Sequence, residues 1–334
     1  MRPTAKHQQQ EKLHYTPEDM RWATPEIVAH YRAERLKCKV IADLGCGIGL
    51  QSFAFAQVCQ KVYAVDINSE KLESARKNAE ILGIHNIEFI PGDALDPKIV
   101  STVKDAEIIF CDPERLPEEA ERSINSIQPN IQQLLDAYNT ITPQIAIEFP
   151  PQIKIIPFDC EKEYLSLDGS LNRLTLYFGP LQQSQRSAVI LPSKAVLRNN
   201  SHAKLSASQK LQQYLYEVDP AVVKAELLAE LCQETNASLF SNGKNTFFTA
   251  DKKISSPFFK NSYLVIGSCP FEEQLIIQLL QKHNASKVTL RYTLDPQEYW
   301  KTRTKFESQL SGDKKYALFQ FGKEAVIGEI TTYK

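Results

Sequence analysis

The chain has 334 residues, with 39 basic against 40 acidic side chains, a formal net charge of −1 and 43% apolar residues. That is enough apolar material for a folded protein of more than one domain, and the balanced charge leaves any polyanion contact to local clusters. No run approaches the ~20 apolar residues of a membrane span; the seven cysteines form no C-x-x-C pair and the six histidines are scattered, so neither a disulfide framework nor a metal is expected.

Residues 1–25 read as a polar N-terminal segment, of which 1–20 are expected to be extended or flexible, and the first ten lack the apolar core of a secretory signal, so a cytoplasmic protein is expected. A helix opens at Trp22–Glu26 with Thr24 as N-cap and Pro25 in its first turn, and runs to about Leu36. Thr24 is also a candidate substrate contact. The apolar run Lys39–Ala42 then leads into Asp43-Leu44-Gly45-Cys46-Gly47-Ile48-Gly49 and the helical stretch Leu50–Cys59. Glycines at such a strand-to-helix turn let the main chain bend tightly and approach a ligand with no Cβ in the way. An acidic residue ahead of G-x-G-x-G is how S-adenosylmethionine (SAM) methyltransferases hold the amino-acid end of their cofactor. Asp43 is suited to accept from that ammonium group. Cys46 reads as a small residue in a crowded turn, with a reactive thiol as the alternative.

The run Lys61–Val65 ends in Asp66-Ile67, where an acidic side chain after a second strand is placed for both ribose hydroxyls. A helix over Ser69–Leu82 follows, with Leu72, Ala75, Ala79 and Leu82 on one face. The strand Ile87–Ile90 then delivers Gly92-Asp93-Ala94, with Asp93 suited to the adenine amine, and the strand Ala106–Cys111 ends in Asp112-Pro113. Four loops on one edge of an open α/β sheet make a nucleoside site. A nicotinamide dinucleotide fingerprint would need its third glycine where Leu50 stands. The alternative for Asp43, Asp66 and Asp93 is that they are solvated strand ends.

Downstream, a helix at Asn130–Ile141, a strand at Gln144–Phe149, an antiparallel pair (Glu163–Leu167 and Arg173–Gly179) turning at Asp168-Gly169, and a strand at Ser187–Leu191 complete a core over 26–192. Residues 193–258 read as a linker and a small unit with a helix at Ala221–Glu234 and a strand at Asn245–Thr249. Residues 259–334 read as a last mixed α+β unit. Basic clusters at Lys194/Arg198/Lys204/Lys210, Lys252/Lys253/Lys260 and Lys301/Arg303/Lys305, interleaved with aromatics, suit a phosphate backbone and equally suit solvated helix faces.

Methyl transfer needs a placed nucleophile, a dry site and one managed proton. The decisive position is therefore the end of the fourth strand, Cys111-Asp112-Pro113-Glu114-Arg115. Enzymes that methylate exocyclic amines of bases carry Asn/Asp-Pro-Pro-aromatic there. Here Asp112 and Pro113 are kept, and Glu114 and Arg115 replace the second proline and the ring. Asp112 orients the amine or only shapes the pocket. Glu114 takes the proton and Arg115 binds a phosphate or base, or the two pair with each other or the following helix. Phe149, at the end of the fifth strand with Glu148, is a stacking platform or a core aromatic.

The stretches "KVYAVDINSEKLESARKNAEILGI" and "IEFIPGDALD", with the glycine loop, are similar to class I SAM methyltransferases, especially those near trimethylguanosine synthase and RNA guanine-N2 methyltransferases. "ATPEIVAHYRAERL", "CDPER", "RSAVILPS" and "YLYEVDPAVVKAELLAEL" resemble SAM methyltransferases with a THUMP-like C-terminal domain, over roughly residues 22–330. The resemblance implies an α/β fold, a Rossmann-like core with a mostly parallel seven-stranded sheet, followed by a ferredoxin-like unit and a THUMP-like unit. THUMP domains bind RNA, which implies a tRNA or rRNA substrate. The expectation is an RNA methyltransferase with SAM held by Asp43, Gly45, Cys46, Gly47, Gly49, Asp66, Ile67, Asp93 and Ala94. Asp112, Pro113 and Glu114 would be its catalytic residues. The alternatives are a methyltransferase of a protein or small molecule, and a non-catalytic SAM-responsive RNA-binding protein.

Overall fold

Where several consecutive residues are apolar, as in Val40–Leu44 or Ile145–Phe149, both faces of the strand need cover, which is the signature of a parallel sheet under helices. A computed structural model of the chain describes residues 6–115, 127–153 and 155–331. It divides into two compact units at Arg198/Asn199.

In chain order the first unit contains α1 (Pro17–Trp22), α2 (Glu26–Arg35), β1 (Val40–Leu44), α3 (Leu50–Val58), β2 (Lys61–Asp66), α4 (Ser69–Leu82), β3 (Ile87–Pro91) and α5 (Pro97–Thr102). It continues through β4 (Ile108–Cys111), β5 (Glu114–Arg115), β6 (Ile127–Gln128), α6 (Ile131–Tyr138), β7 (Ile145–Phe149), β8 (Glu161–Leu167), β9 (Ser170–Tyr177), β10 (Arg186–Leu191) and β11 (Ala195–Arg198). The strands form a nine-stranded sheet in the order β11-β10-β8-β9-β7-β4-β1-β2-β3, where seven were expected. β3, β2, β1, β4 and β7 run parallel, and β9 lies antiparallel between β7 and β8. The hairpin turn is Asp168-Gly169, both residues left-handed (φ 51° and 70°), as a tight two-residue turn requires. The strand with no counterpart in the sequence reading is β11, whose pairing with β10 carries the unit past the expected limit at 192 to Arg198.

Strand order reverses between β1 and β4, and open α/β sheets bind ligands at that switch point, beyond the strands' carboxyl ends. The main core lies where α2 and α3 meet the sheet, through Ala29, Leu36, Phe55, Ile41, Phe110 and Tyr177.

Two expectations about the N-terminal region are corrected. The described residues before α2 are folded onto the unit: Thr16 and Asp19 form a capping box around α1, and Leu13 and Met20 are buried with Ile48, Leu50 and Phe53. The N-cap of α2 is Pro25, one residue later than expected, and Thr24 is buried.

The second unit holds β12 (Tyr214–Val218), α7 (Pro220–Lys224), α8 (Leu228–Thr235), β13 (Ser238–Asn242), β14 (Thr246–Ala250), β15 (Phe259–Pro270), α9 (Glu273–Lys282), β16 (Ala285–Leu290), α10 (Tyr299–Glu307), β17 (Lys314–Phe321) and β18 (Glu324–Ile330). One seven-stranded sheet, β13-β14-β12-β15-β18-β17-β16, runs through it. Because β12 pairs with both β14 and β15, no boundary falls at 258/259, and the two separate C-terminal units expected from the sequence are one. The sheet is strongly coiled. Phe247 on β14 touches Phe319 and Phe321 on β17, at ring separations of 5.5 and 5.4 Å. Those strands are four places apart, about 19 Å in a flat sheet. The opposite face buries Ile276, Leu280 and Phe306 from α9 and α10 against Val288, Leu318 and Ile327. No described helix is long and apolar enough to cross a membrane.

Candidate active site

Asp43 is the fourth residue of β1 and only 1% exposed. Its Oδ2 accepts from Ser52 Oγ on α3 at 2.5 Å, while Oδ1 is buried with no hydrogen-bond partner. Burial pushes this carboxyl up to about 7, with the charges of Asp66 and Glu148 adding to the shift and Ser52 and Arg32 opposing it. A buried carboxylate oxygen left without a donor is costly, so the position is built to receive one.

The loop after β1 keeps the cleft open. Gly45 (φ 81°) lies so near β4 that a Cβ there would stand 2.8 Å from the Asp112 carbonyl oxygen. A Cβ on Gly47 (φ 54°) would meet nothing within 4 Å. Gly49 is the left-handed N-cap of α3. The Gly45 and Cys46 amides donate to the Val65 carbonyl, which ties the loop to β2. Burial raises the Cys46 thiol well above its ordinary value, which keeps it protonated.

Asp66, at the end of β2, accepts from the Gly47 amide (2.7 Å) and the Asn68 amide (2.8 Å), one on each carboxylate oxygen. It therefore braces the glycine loop and keeps about half its acceptor capacity. The next residue, Ile67, is 73% exposed, an apolar side chain held out at the sheet edge. Asp93 is exposed and closes a turn onto the Leu95 amide at 2.9 Å, and the Ala94 carbonyl accepts from Tyr138 OH at 2.7 Å.

Asp112 and Pro113, half-buried, follow β4. Burial and the neighbouring Glu148 raise the Asp112 carboxyl to about 7, against the pull of Arg173 and Arg32. Glu148, the penultimate residue of β7, forms ion pairs with Arg32 on one oxygen and Arg173 on the other. Arg32 also donates to Gln51 Oε1 at 2.8 Å, and Gln51 Nε2 donates on to the Ala29 carbonyl. Three acids (Asp43, Asp112, Glu148) and two guanidiniums thus share the switch point.

Of the site residues expected from the sequence, Asp43, Gly45, Cys46, Gly47, Gly49, Asp66, Ile67, Asp93, Ala94, Asp112 and Pro113 all come to this edge of the sheet. Two do not fit. Phe149 is 1% exposed, locked in a strand buried on both faces, and offers no ring surface to a substrate; Thr24 is likewise buried. The side chains of Glu114 and Arg115 lie outside the described structure. Arg32, Gln51, Ser52 and Arg173 are additions, and Glu148 gains a role. Arg32 had one legible signal: it sits at the buried spacing Val28, Ala29, Arg32, Ala33, Leu36, where a charge needs a partner. Among the described residues no group of three or more His, Cys, Asp or Glu is arranged to hold a metal ion.

Residues 36–147 of this unit, about a third of the chain, match a known family model described as a methyltransferase domain. A solved structure of a candidate methyltransferase from Porphyromonas gingivalis W83 superposes with a TM-score of 0.77 over 95% of this chain and 83% of that one, at 15% identity, which shows a shared fold through both units. An uncharacterised S-adenosylmethionine-dependent methyltransferase from Mycobacterium tuberculosis is 27% identical over 222 residues, 64% of this chain and 60% of that protein. An uncharacterised RNA methyltransferase from Oceanobacillus iheyensis is 41% identical over 81 residues, 24% of this chain and 18% of that protein. The chain thus spans less than two thirds of the length of the Mycobacterium and Oceanobacillus relatives.

Proposed function

We propose that the chain is a SAM-dependent methyltransferase acting on RNA, at a base of tRNA or rRNA. The observation that carries the cofactor assignment is the orphaned Asp43 Oδ1 beside the open cradle at Gly47. A buried anionic acceptor fits an ammonium group, and bare backbone fits a close-lying ligand. When bound, SAM supplies an electrophilic methyl on a sulfonium.

The residues divide the work along the sheet edge. Asp43 accepts from the ammonium of the methionine moiety, and Asp66 uses its remaining lone pairs for the ribose hydroxyls. Ile67 gives the adenine an apolar surface, and Asp93 with Ala94 reads its edge. Asp112 and the Pro113 carbonyl orient the acceptor amine. With its carboxyl near 7, Asp112 exchanges a proton at neutral pH. Arg32 and Arg173 hold Glu148 beside it, which keeps the acidic cluster from repelling itself apart.

RNA as the acceptor is supported by the names of several partial relatives, together with the THUMP-like resemblance proposed for residues 259–334. Lys252 and Lys253 are exposed there, whereas Lys301, Arg303 and Lys305 on α10 are each paired with a glutamate and contribute less. Purified protein is expected to transfer labelled methyl from SAM to RNA taken from cells lacking the gene, with the label lost on ribonuclease treatment. Asp112→Ala is expected to abolish transfer and leave SAM affinity intact. Label resistant to ribonuclease would make the acceptor a protein or small molecule. SAM and RNA binding with no demethylated product would make the chain a non-catalytic binder.

A further inference from the structure

An acceptor base needs a ring to lie against as well as acceptors for its amine. The loop after Pro113 reads Glu114-Arg115 with no aromatic, and Phe149 is sealed in the core. The exposed aromatic residues described in the first unit are Tyr15, 37% exposed, and Trp22, 58% exposed. Topology puts Trp22 at the carboxyl edge of the sheet. The C-terminal end of α2 feeds β1 at the amino edge, so its N-terminus points the other way. Arg32 in the second half of α2 reaches Glu148, Glu26 lies about 9 Å farther along the helix, and α1, which ends in Trp22, packs through Met20 on the glycine loop at that edge.

The backbone around Trp22 is fastened in place. Lys6 Nζ donates to the Arg21 and Ala23 carbonyls on either side of it, at 2.7 and 2.8 Å, and the Glu26 amide donates to the Lys6 carbonyl at 2.8 Å. Met20 packs with Ile48 and Leu50 of the glycine loop. The buried Asn78 on α4 accepts from the His14 amide and donates to the His14 and Ile48 carbonyls. Burial, with the Arg173 charge adding, lowers the Lys6 amine. The Arg21 guanidinium lies over the indole, 5.1 Å from its centre.

We infer that Trp22 is the stacking platform of the acceptor site, the indole against which the target nucleobase lies. This rests on the RNA-methyltransferase reading above and supplies the ring that the loop after Pro113 lacks. The chain has two tryptophans, Trp22 and Trp300, so Trp300→Phe leaves Trp22 as the sole indole reporter. Titrating that variant, with S-adenosylhomocysteine present, with bulk tRNA and rRNA fragments from cells lacking the gene is expected to quench its fluorescence. In steady-state transfer, Trp22→Ala is expected to raise KM for RNA about 5- to 150-fold, the range for loss of one base–aromatic stack. Trp22→Phe should stay within about threefold of the parent, and SAM affinity should be unchanged in both. Transfer by the parent with unchanged KM in Trp22→Ala, or an unquenched indole at saturating RNA, overturns the platform alone. No transfer to RNA by the parent overturns both readings.

Discussion

Glu148 and Glu163 stand in one row across the sheet, since each is the cross-strand partner of Thr175, and each receives an arginine from α2. Arg32 and Arg35 are one helical turn apart, and each guanidinium lies over a ring, Phe110 for the first and Tyr177 for the second. The two networks are nevertheless different in kind. Glu163 accepts from Tyr31, Tyr177 and Arg35, and Glu161 from Arg35, Ser184, Ser187 and the Gln183 amide, so every oxygen of that pair has a donor. Beside Glu148 the last β4–β7 partners are Cys111 and Ile147, so the strand has ended where Asp112 begins, and Asp43 keeps an unpartnered oxygen. The same residue types on the same helix therefore make a closed structural lock in one place and an open site in the other. What decides is whether the neighbouring strand continues.

The largest effects should separate those two roles. Arg35→Ala strands two buried carboxylates and is expected to cost about 3–5 kcal/mol of stability, read as a large drop in the thermal midpoint. The milder Glu163→Gln should lower the midpoint while transfer per folded molecule stays at the parent value. Glu148→Gln should instead lower kcat at least tenfold, because its charge is part of the field at Asp112. Equal losses of kcat in the two glutamine variants would erase the distinction drawn above.

The lock and the site were not equally legible in the sequence. Strand-loop-strand alternation and the spacing of Asp43, Asp66, Asp93 and Asp112 locate the cofactor edge, because each is a local pattern repeated four times. The arginine pairings join residues 116 and 128 positions apart, and no local rule reports them. Phe149 misled because an aromatic at a strand end reads alike whether that strand is covered on one face or both. Residues 6–22 looked polar, and their two apolar anchors, Leu13 and Met20, are too sparse to give a period; the Thr16–Asp19 capping box was the available sign. The single sheet of the second unit depends on β12 pairing with β15 across about forty residues, again beyond local reach.

A second group of tests uses pH. The Asp43 and Asp112 carboxyls sit near 7 in the folded protein, above the ordinary carboxylate range. Folding thus gains from holding these protons. That contribution is complete below about pH 4 and is lost as pH rises through about 7. Burial raises the Glu163 carboxyl in the lock as well, so the pH dependence of stability is common to both networks and ligand affinity is what separates them. Binding an ammonium favours ionised Asp43, so SAM affinity should rise with pH, by up to tenfold per unit below 7, with protons released on binding. Calorimetry in buffers of different ionisation enthalpy measures that release. It should vanish in Asp43→Asn, and its persistence there would assign the proton to another group.

The smallest effects come from a pair of glycines that are sterically alike. A Cβ on Gly47 (φ 54°) or on Gly83 (φ 67°) meets no atom within 4 Å, so alanine at either costs only the left-handed backbone, about 1–2 kcal/mol. Gly83 caps the C-terminus of α4, whereas Gly47 faces the open cradle beside Asp66. Matched small falls in thermal midpoint are expected for Gly47→Ala and Gly83→Ala, with SAM affinity lost only in the first. Gly45→Ala should lose both, because its new methyl would press on the Asp112 carbonyl at 2.8 Å. Equal SAM affinity in the Gly47 and Gly83 variants would mean that the empty space at Gly47 is surface and that the ligand lies elsewhere.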